Sequence, residues 1–212
     1  MGENGGFVRP RKSRVNYQAQ LDGILSRLEE EKKVPTLLLH SCCAPCSSYV
    51  LEYLSRYFSI TVFYYNPNIS PREEYEKRVQ EIRRLIREMP VEHPVAFLEG
   101  KYEPERFYQV TKGLESAPEG GERCFLCYRL RLSEAARAAV EGGFDYFTTT
   151  LSISPLKSAA VLNEIGQELA EIYRVPHLPS DFKKRNGYKR SIELSEEYHL
   201  YRQNYCGCVF SR

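Results

Sequence analysis

Cysteine is the residue type in this sequence best suited to chemistry, because its seven copies fall into three groups. The groups are Cys42-Cys43-Ala44-Pro45-Cys46, Cys124-Phe125-Leu126-Cys127 and Cys206-Gly207-Cys208. In a Cys-x-x-Cys pair at the start of a helix, both sulfurs point the same way, as zinc and iron–sulfur sites require. In Cys-Gly-Cys the two sulfurs lie on the same face if the backbone is extended. Side chains of adjacent residues diverge, so we expect Cys42 and Cys43 to face two different centres. Three groups that can converge predict metal binding.

Disulfide bonds are a poor explanation for these cysteines. A secreted disulfide framework usually has an even cysteine count in a short chain behind a signal peptide, whereas this chain has 212 residues, seven cysteines and a polar start. No apolar run approaches the length that spans a membrane. We therefore expect a cytoplasmic protein, with no membrane partner, whose thiols stay reduced. A structural zinc site would use four cysteines and leave three unexplained. Cys46 is left as a packing residue or as a neighbour of the metal ligands.

Alternating strand and helix patterns must position the cysteines. Short apolar runs predict strands at 36–39, 60–65, 95–98 and 144–150, and helical periodicity follows Asn16 and covers 48–57, 72–88, 104–112, 129–141 and 156–173. The alternation indicates right-handed crossovers and a doubly wound, mainly parallel sheet in an α/β fold. Ligands of such sheets bind at the carboxyl ends of the strands, and the first cysteine group directly follows the first strand.

The chain is expected to consist of a short arm and one domain. Residues 1–15 carry four basic residues against one acid, which predicts a basic, flexible arm. Residues 16–212 are expected to form a single α/β metal-binding catalytic domain, with the tail from Ser180 covering its site.

A basic segment with an aromatic residue lies within that tail. Overall charge is only +2, so bulk charge does not predict nucleic-acid binding. Six residues nevertheless cluster around an Asn-Gly turn: Lys183, Lys184, Arg185, Tyr188, Lys189 and Arg190. A basic loop with an aromatic ring at its tip suits a phosphate backbone with a base stacked on the ring. A solvated charged loop is the alternative interpretation.

The turn after the first strand also bears on ATP binding. Related sheets that use ATP carry a Gly-rich phosphate loop there, but residues 41–46 contain no glycine, which disfavours pyrophosphate binding by backbone amides. An ATP-dependent iron–sulfur enzyme of the tRNA-thiolation type therefore stays the weaker enzymatic alternative. A zinc-stabilised RNA-binding module is the non-enzymatic one.

Five ordered motifs resemble those of the cobalamin-independent epoxyqueuosine reductases. They are His40-x-Cys42-Cys43-Ala44-Pro45-Cys46, Glu122-Arg123-Cys124-x-x-Cys127-Tyr128, Thr149-Thr150-Leu151 with Ser154-Pro155-x-Lys157, Asp181-Phe182-Lys183-Lys184 with Gly187-Tyr188, and Tyr205-Cys206-Gly207-Cys208. The match runs from about Asn16 to the carboxyl end. The resemblance implies a sheet like that of the nucleotide α-hydrolases (the HUP, or adenine nucleotide alpha hydrolase-like, fold) that carries metals instead of ATP.

The resemblance also implies the reaction and the cofactors. The reaction would be the reductive deoxygenation of epoxyqueuosine to queuosine at the wobble position of tRNA. The family is associated with a [4Fe–4S] cluster held by four cysteines and a second mononuclear metal, iron, held by two cysteines and an aspartate. Carried over, the ligands come from Cys42, Cys43, Cys124, Cys127, Cys206 and Cys208, and Asp181 is the best match for the carboxylate. Which cysteine holds which metal stays open.

The implied reaction requires further partners and groups. Conversion of an epoxide to an alkene takes two electrons and two protons, so an external electron donor such as ferredoxin or flavodoxin is expected. His40 and Tyr128 are candidate proton donors. The basic residues at 183–190 would hold phosphates of the anticodon stem-loop while aromatic residues hold the extruded base.

Overall fold

Residues 15–211 are described by a computed structural model of the chain. Four parallel strands form one sheet in the order β3-β2-β1-β4: β1 (Thr36–His40), β2 (Ser59–Tyr64), β3 (Val95–Glu99) and β4 (Tyr146–Thr149). The α-helices of this part are α1 (Tyr17–Glu31), α2 (Ala44–Leu54), α3 (Arg72–Glu88), α4 (Pro104–Thr111), α5 (Glu122–Glu141), α6 (Ala159–Tyr173) and α7 (Gly187–Glu197), with 3-10 turns at Thr150–Ile153 and Val209–Ser211. The predicted α/β class and parallel sheet are confirmed. The predicted basic arm lies, apart from residue 15, outside the described residues.

Helices cover both faces of the sheet, because the side chains of its strands alternate between two apolar cores. Leu37 and Leu39 of β1 pack in a core with α1, α2, α3 and α7. Leu38 points the other way and packs with Phe147 of β4, α5 and α6. None of the helices in residues 15–211 is both long and apolar enough to cross a membrane.

The strand order reverses beside β1. The chain runs from β1 outward to β2 and β3, and then returns to place β4 on the other side of β1. Leu39 and His40 pair with Thr148 and Thr149 in this register. The turns that leave β1 and β4 therefore meet at one crevice, where such sheets bind ligands.

Two helices begin earlier than the sequence predicts, and each has cysteines at or near its start. Helix α2 begins at Ala44, before the predicted residue 48, with Pro45 in its first turn, a position where proline costs no hydrogen bond. Helix α5 begins at Glu122, before the predicted residue 129, after Gly121 as its N-cap. Each early start places a cysteine group in the first turns of a helix.

The predicted basic loop is wrong in part, because residues 187–197 form helix α7. The Asn-Gly pair that suggested a turn is instead the start of this helix, with Asn186 in left-handed backbone (φ 61°). Gly187 is buried, and a Cβ atom there would lie 2.0 Å from the carbonyl oxygen of Phe182 and 2.4 Å from the Tyr49 ring. This glycine therefore serves close packing of α7 on α2 rather than a flexible loop tip.

Candidate active site

The first cysteine group lies where β1 turns into α2. The chain bends at Cys42, and Cys43 is the extended N-cap of the helix (φ −172°, ψ 163°). The Sγ atoms of Cys42 and Cys43 are 3.7 Å apart, and with that of Cys46 all lie within 4.8 Å of one another. Within residues 15–211 this is the only such group of three metal-ligating side chains. These cysteines could hold a metal ion.

One expectation about this group is wrong. The side chains of Cys42 and Cys43 do not diverge, because the bend replaces the straight strand on which that expectation depended. Cys46, expected to pack or to lie beside the metal ligands, packs against a core, and its sulfur lies within 4.8 Å of the other two. Side chains of a helix tilt toward its N-terminus, so a cysteine in the first turn of α2 reaches back toward the N-cap.

The electrostatics of the group favour a thiolate, the form that binds metal. Hydrogen bonds from Cys43 and Cys46 lower the pKa of the Cys42 thiol, and the positive charges of Arg131 and Lys157 lower it further. The hydrogen bond to Cys42 raises the pKa of Cys43 to about 12. Both shifts favour placing a negative charge on Cys42 rather than on Cys43.

The other four cysteines line a second, small cavity beside the first group: Cys124, Cys127, Cys206 and Cys208. The backbone N–H of Gly120 donates to Cys124 Sγ at 3.3 Å. Burial raises the pKa of Cys127 to about 12. Cys206 borders both this cavity and the large one described next. The predicted convergence of all three cysteine groups on one region is therefore present.

A cavity of about 450 Å³ opens over the first cysteine group. Its volume falls within the range that holds small ligands. The tail after residue 180 forms one wall through Tyr188, Ser191 and residues 202–206, which agrees with the expected cover. Sequence reasoning missed several charged residues of the wall: Arg78, Glu119, Arg131 and Arg202. The buried arginines gave no signal, because they occupy ordinary charged helical sequence.

Arg131 is a fully buried cation in the wall of this cavity. Its guanidinium donates to Asn66 Oδ1 and, at 3.3 Å, to His40 Nε2. Asn66 in turn donates to the carbonyl of Ser41 at 2.8 Å. Burial of Arg131 opposes its charge, but the sulfurs of Cys127 and other cysteines raise its pKa. The network holds a permanent positive charge next to the cysteines.

The three residues predicted to be catalytic lie in different environments. Burial, with the charge of Arg131, lowers the pKa of His40 to about 3, so its imidazole is neutral, and His40 is not among the residues lining either cavity. Tyr128 lines the small cavity, and burial raises its pKa. Asp181 lines neither cavity, and its carboxylate pairs with Lys183 at 2.8 Å.

Comparison with known proteins identifies the family of this chain. The family model described as "Epoxyqueuosine reductase QueH" matches residues 37–212. This chain belongs to that family. A protein of that name from Streptococcus pyogenes serotype M1 is 44% identical over 200 residues, which cover 93% of this chain and 78% of that protein. Its namesake from Staphylococcus epidermidis is 43% identical over 209 residues (97% and 88%), and the one from Thermotoga maritima 36% over 182 residues (83% and 90%).

In this member of the QueH family, the six residues of the predicted tRNA-binding set have unequal surroundings. Tyr188 is exposed and lines the large cavity. Arg185 pairs with Asp22, and Arg190 pairs with Glu52 at 2.6 Å. Lys183 also donates to a backbone carbonyl, and Lys184 is exposed. The Nζ atom of Lys189 lies 3.9 Å from a carboxylate oxygen of Glu193. Only the aromatic member borders the cavity directly.

Proposed function

We propose that this chain is an epoxyqueuosine reductase that converts epoxyqueuosine to queuosine at the wobble position of tRNA. The main observation in support of this proposal is the cavity of about 450 Å³, which is lined by Cys42, Cys43 and Cys46 and also by Cys206. Membership of the QueH family supports the reaction. The proposal includes one catalytic domain over residues 16–212, a sheet of the nucleotide α-hydrolase type, and action in the cytoplasm, where tRNA is modified.

The reaction must balance in electrons, protons and oxygen. The two C–O bonds of the epoxide break, a C=C bond forms, and the oxygen leaves as water after uptake of two electrons and two protons. A reduced carrier such as ferredoxin or flavodoxin would supply the electrons. Bound iron centres would pass on those electrons and act as a Lewis acid toward the epoxide oxygen.

The first cysteine group fits a single metal ion. A tetrahedral ion with metal–sulfur bonds of about 2.3 Å holds its sulfurs about 3.8 Å apart, and the Sγ atoms of Cys42 and Cys43 are 3.7 Å apart. Sulfurs around a four-iron cluster spread more widely, because each binds a different iron. The cysteines of the small cavity, which do not form so tight a group, suit that arrangement.

The packing of the cysteines favours an assignment to two centres. Cys46 packs against the core on one face of the sheet, beneath α2. Cys42 packs against the opposite core together with Cys124, Cys127 and Cys208. We assign the four cysteines of the small cavity to a [4Fe–4S] cluster, and the first cysteine group, in which Cys42 packs toward those four, to the mononuclear iron. Asp181 stays the predicted carboxylate ligand.

Other side chains of the site would control charge and protons. Lys157 lines both cavities, and although burial opposes its charge, the sulfurs of Cys206 and Cys42 raise its pKa. Together with Arg131 it would offset the negative charge of the cysteine sulfurs. Tyr128, whose pKa is raised by burial, keeps its phenol proton at neutral pH and could hold that proton near the small cavity. Tyr188 would stack on the base at the cavity mouth.

The test of this function is anaerobic. The protein is purified or reconstituted without oxygen, its iron, acid-labile sulfide and zinc are quantified, and its EPR spectrum is recorded. Epoxyqueuosine-containing tRNA is then incubated with it and a low-potential reductant, and the digested nucleosides are separated. We expect queuosine to form without ATP. Stoichiometric zinc, no acid-labile sulfide and no queuosine would instead identify a zinc-stabilised RNA-binding module, and a requirement for ATP would support the thiolation-type alternative.

A further inference from the structure

One carboxylate stands out in a site whose other charged side chains, apart from the cysteines, are basic. Glu119 lines both cavities and is the only acidic residue among the lining residues. The other charged residues of the two walls are all basic: Arg78, Arg123, Arg131, Lys157 and Arg202. A cationic ligand that enters this field is repelled unless a carboxylate meets it. Glu119 is therefore the one carboxylate in the walls that can receive positive charge.

The loop that carries Glu119 is firmly held. It connects α4 to α5, and the buried guanidinium of Arg123 lies against it. Arg123 Nη1 donates to the carbonyls of Leu114 at 3.1 Å and Glu115 at 2.9 Å, and also to that of Ala117. Because one buried guanidinium donates to three backbone carbonyls of the loop, these hydrogen bonds hold the loop in one conformation. The carboxylate of Glu119 thus sits on a supported segment rather than on a free one.

The carboxylate itself is not engaged by the protein. In residues 15–211 no hydrogen bond or ion pair involves the Glu119 side chain, whereas Glu115 on the same loop accepts from the backbone N–H of Gly113 at 3.0 Å. Among the described residues, Glu119 also does not belong to a group of three metal-ligating side chains whose ligand atoms lie within 4.8 Å of one another. The next residue, Gly120, donates to Cys124 Sγ. Glu119 is therefore available to a ligand right beside the cysteines.

The proposed substrate supplies the matching charge. Epoxyqueuosine joins its epoxide-bearing ring to the deazaguanine base through a secondary amine, which is protonated at neutral pH. We infer that the Glu119 carboxylate binds this ammonium group and thereby selects epoxyqueuosine over bases that lack it. This inference rests on the proposed function. A charge-assisted hydrogen bond at this point would place the epoxide next to the cysteine-lined wall.

The decisive variant is Glu119→Gln in the reconstituted holoenzyme. Glutamine keeps the size and one acceptor oxygen but removes the charge. With epoxyqueuosine-containing tRNA we expect the KM to rise at least tenfold, which corresponds to about 1.4 kcal/mol, while kcat stays within about twofold of wild type. Glu119→Asp should recover part of the loss. Glu115→Gln is the matched control, because it removes a charge from the same loop without lining either cavity, and its KM should not change.

A second measurement separates recognition of charge from loop damage. Free queuosine nucleoside and its N-acetylated derivative, in which the amine is a neutral amide, are compared as competitive inhibitors. Wild type should prefer queuosine about tenfold, and Glu119→Gln should bind both equally. If wild type turns over but Glu119→Gln has an unchanged KM, or if wild type does not distinguish the two nucleosides, the inference is overturned while the function stands. If wild type forms no queuosine, the proposed function fails and the inference falls with it.

Discussion

Removing the buried guanidinium of Arg78 should destabilise the protein far more than removing an exposed one from the same helix. Arg78 of α3 is 2% exposed and pairs with Glu74 at 2.7 Å. Its Nη1 donates to the carbonyl of Cys206 at 3.1 Å, and its guanidinium lies 5.4 Å from the centre of the Tyr205 ring. Arg78→Met would therefore strip the charge partner from Glu74, which is only 12% exposed, and a donor from the segment that carries Cys206.

The magnitude follows from the burial of the pair. Removing one partner of a buried ion pair costs about 3–5 kcal/mol, because the other charge stays buried without compensation. We expect Arg78→Met to lower the free energy of unfolding by about 3 kcal/mol, since Glu74 keeps the Tyr201 hydroxyl as a donor at 3.1 Å. Urea unfolding under anaerobic, reducing conditions measures this loss. Glu74→Gln and the double variant complete a cycle that isolates the pair.

The matched control is Arg72→Met on the same helix. Arg72 also pairs with a glutamate four residues away, Glu76, at 2.9 Å, but both side chains are more than half exposed. Exposed pairs contribute little to stability, so this variant should unfold almost as wild type does. Equal losses for Arg72→Met and Arg78→Met would refute the argument that burial sets the cost.

Four further outcomes are expected. The Cys46→Ser variant should bind less iron than wild type on anaerobic reconstitution. The Asp181→Ala variant should retain the cluster and lose turnover. Full activity of the Asp181→Ala variant would remove Asp181 from the site. Gly187→Ala should lower the free energy of unfolding by about 1–3 kcal/mol because its Cβ would overlap the Phe182 carbonyl, and an unchanged urea midpoint would contradict that packing. Burial lowers the pKa of His177 from 6.5 to about 4, so the unfolded chain binds a proton that the folded protein excludes. The free energy of unfolding should thus fall between pH 6.5 and pH 4, by up to about 1.4 kcal/mol per pH unit, and a His177→Asn variant should show a shallower fall.

The sequence predicts the elements whose signal is local. Helix α3 runs over the predicted 72–88, because its apolar residues recur at helical spacing. Strand β1 appears where the apolar run lies, and it ends directly before the first cysteine group. Helix α7 was missed because Asn186-Gly187 is typical of a turn, and one of the two contacts that require glycine there comes from Tyr49, far away in the chain.

The cysteines of the site can be predicted from the sequence, whereas its buried and cavity-lining charged residues cannot. Spacing alone indicates that sulfur does the chemistry. It cannot indicate that Arg78 and Arg131 are buried, because each lies in a charged helical stretch that would suit solvent equally well. Glu119 lies in a Pro- and Gly-containing loop that gives no sign of facing a cavity. Such residues become visible only when the fold places distant segments together.

The closeness of the sulfurs of Cys42, Cys43 and Cys46 has a consequence for the fate of the protein in air. The sulfur of Cys46 lies within 4.8 Å of those of Cys42 and Cys43, so side-chain rotation can bring it into disulfide contact, whereas adjacent Cys42 and Cys43 have Cα atoms closer together than disulfides usually span. The thiolate on Cys42 is also the form that oxidants attack first. In the metal-free protein, oxidation and metal uptake therefore compete for the same three atoms. A bound ion protects them, and a disulfide formed first blocks the ion until a reductant opens it.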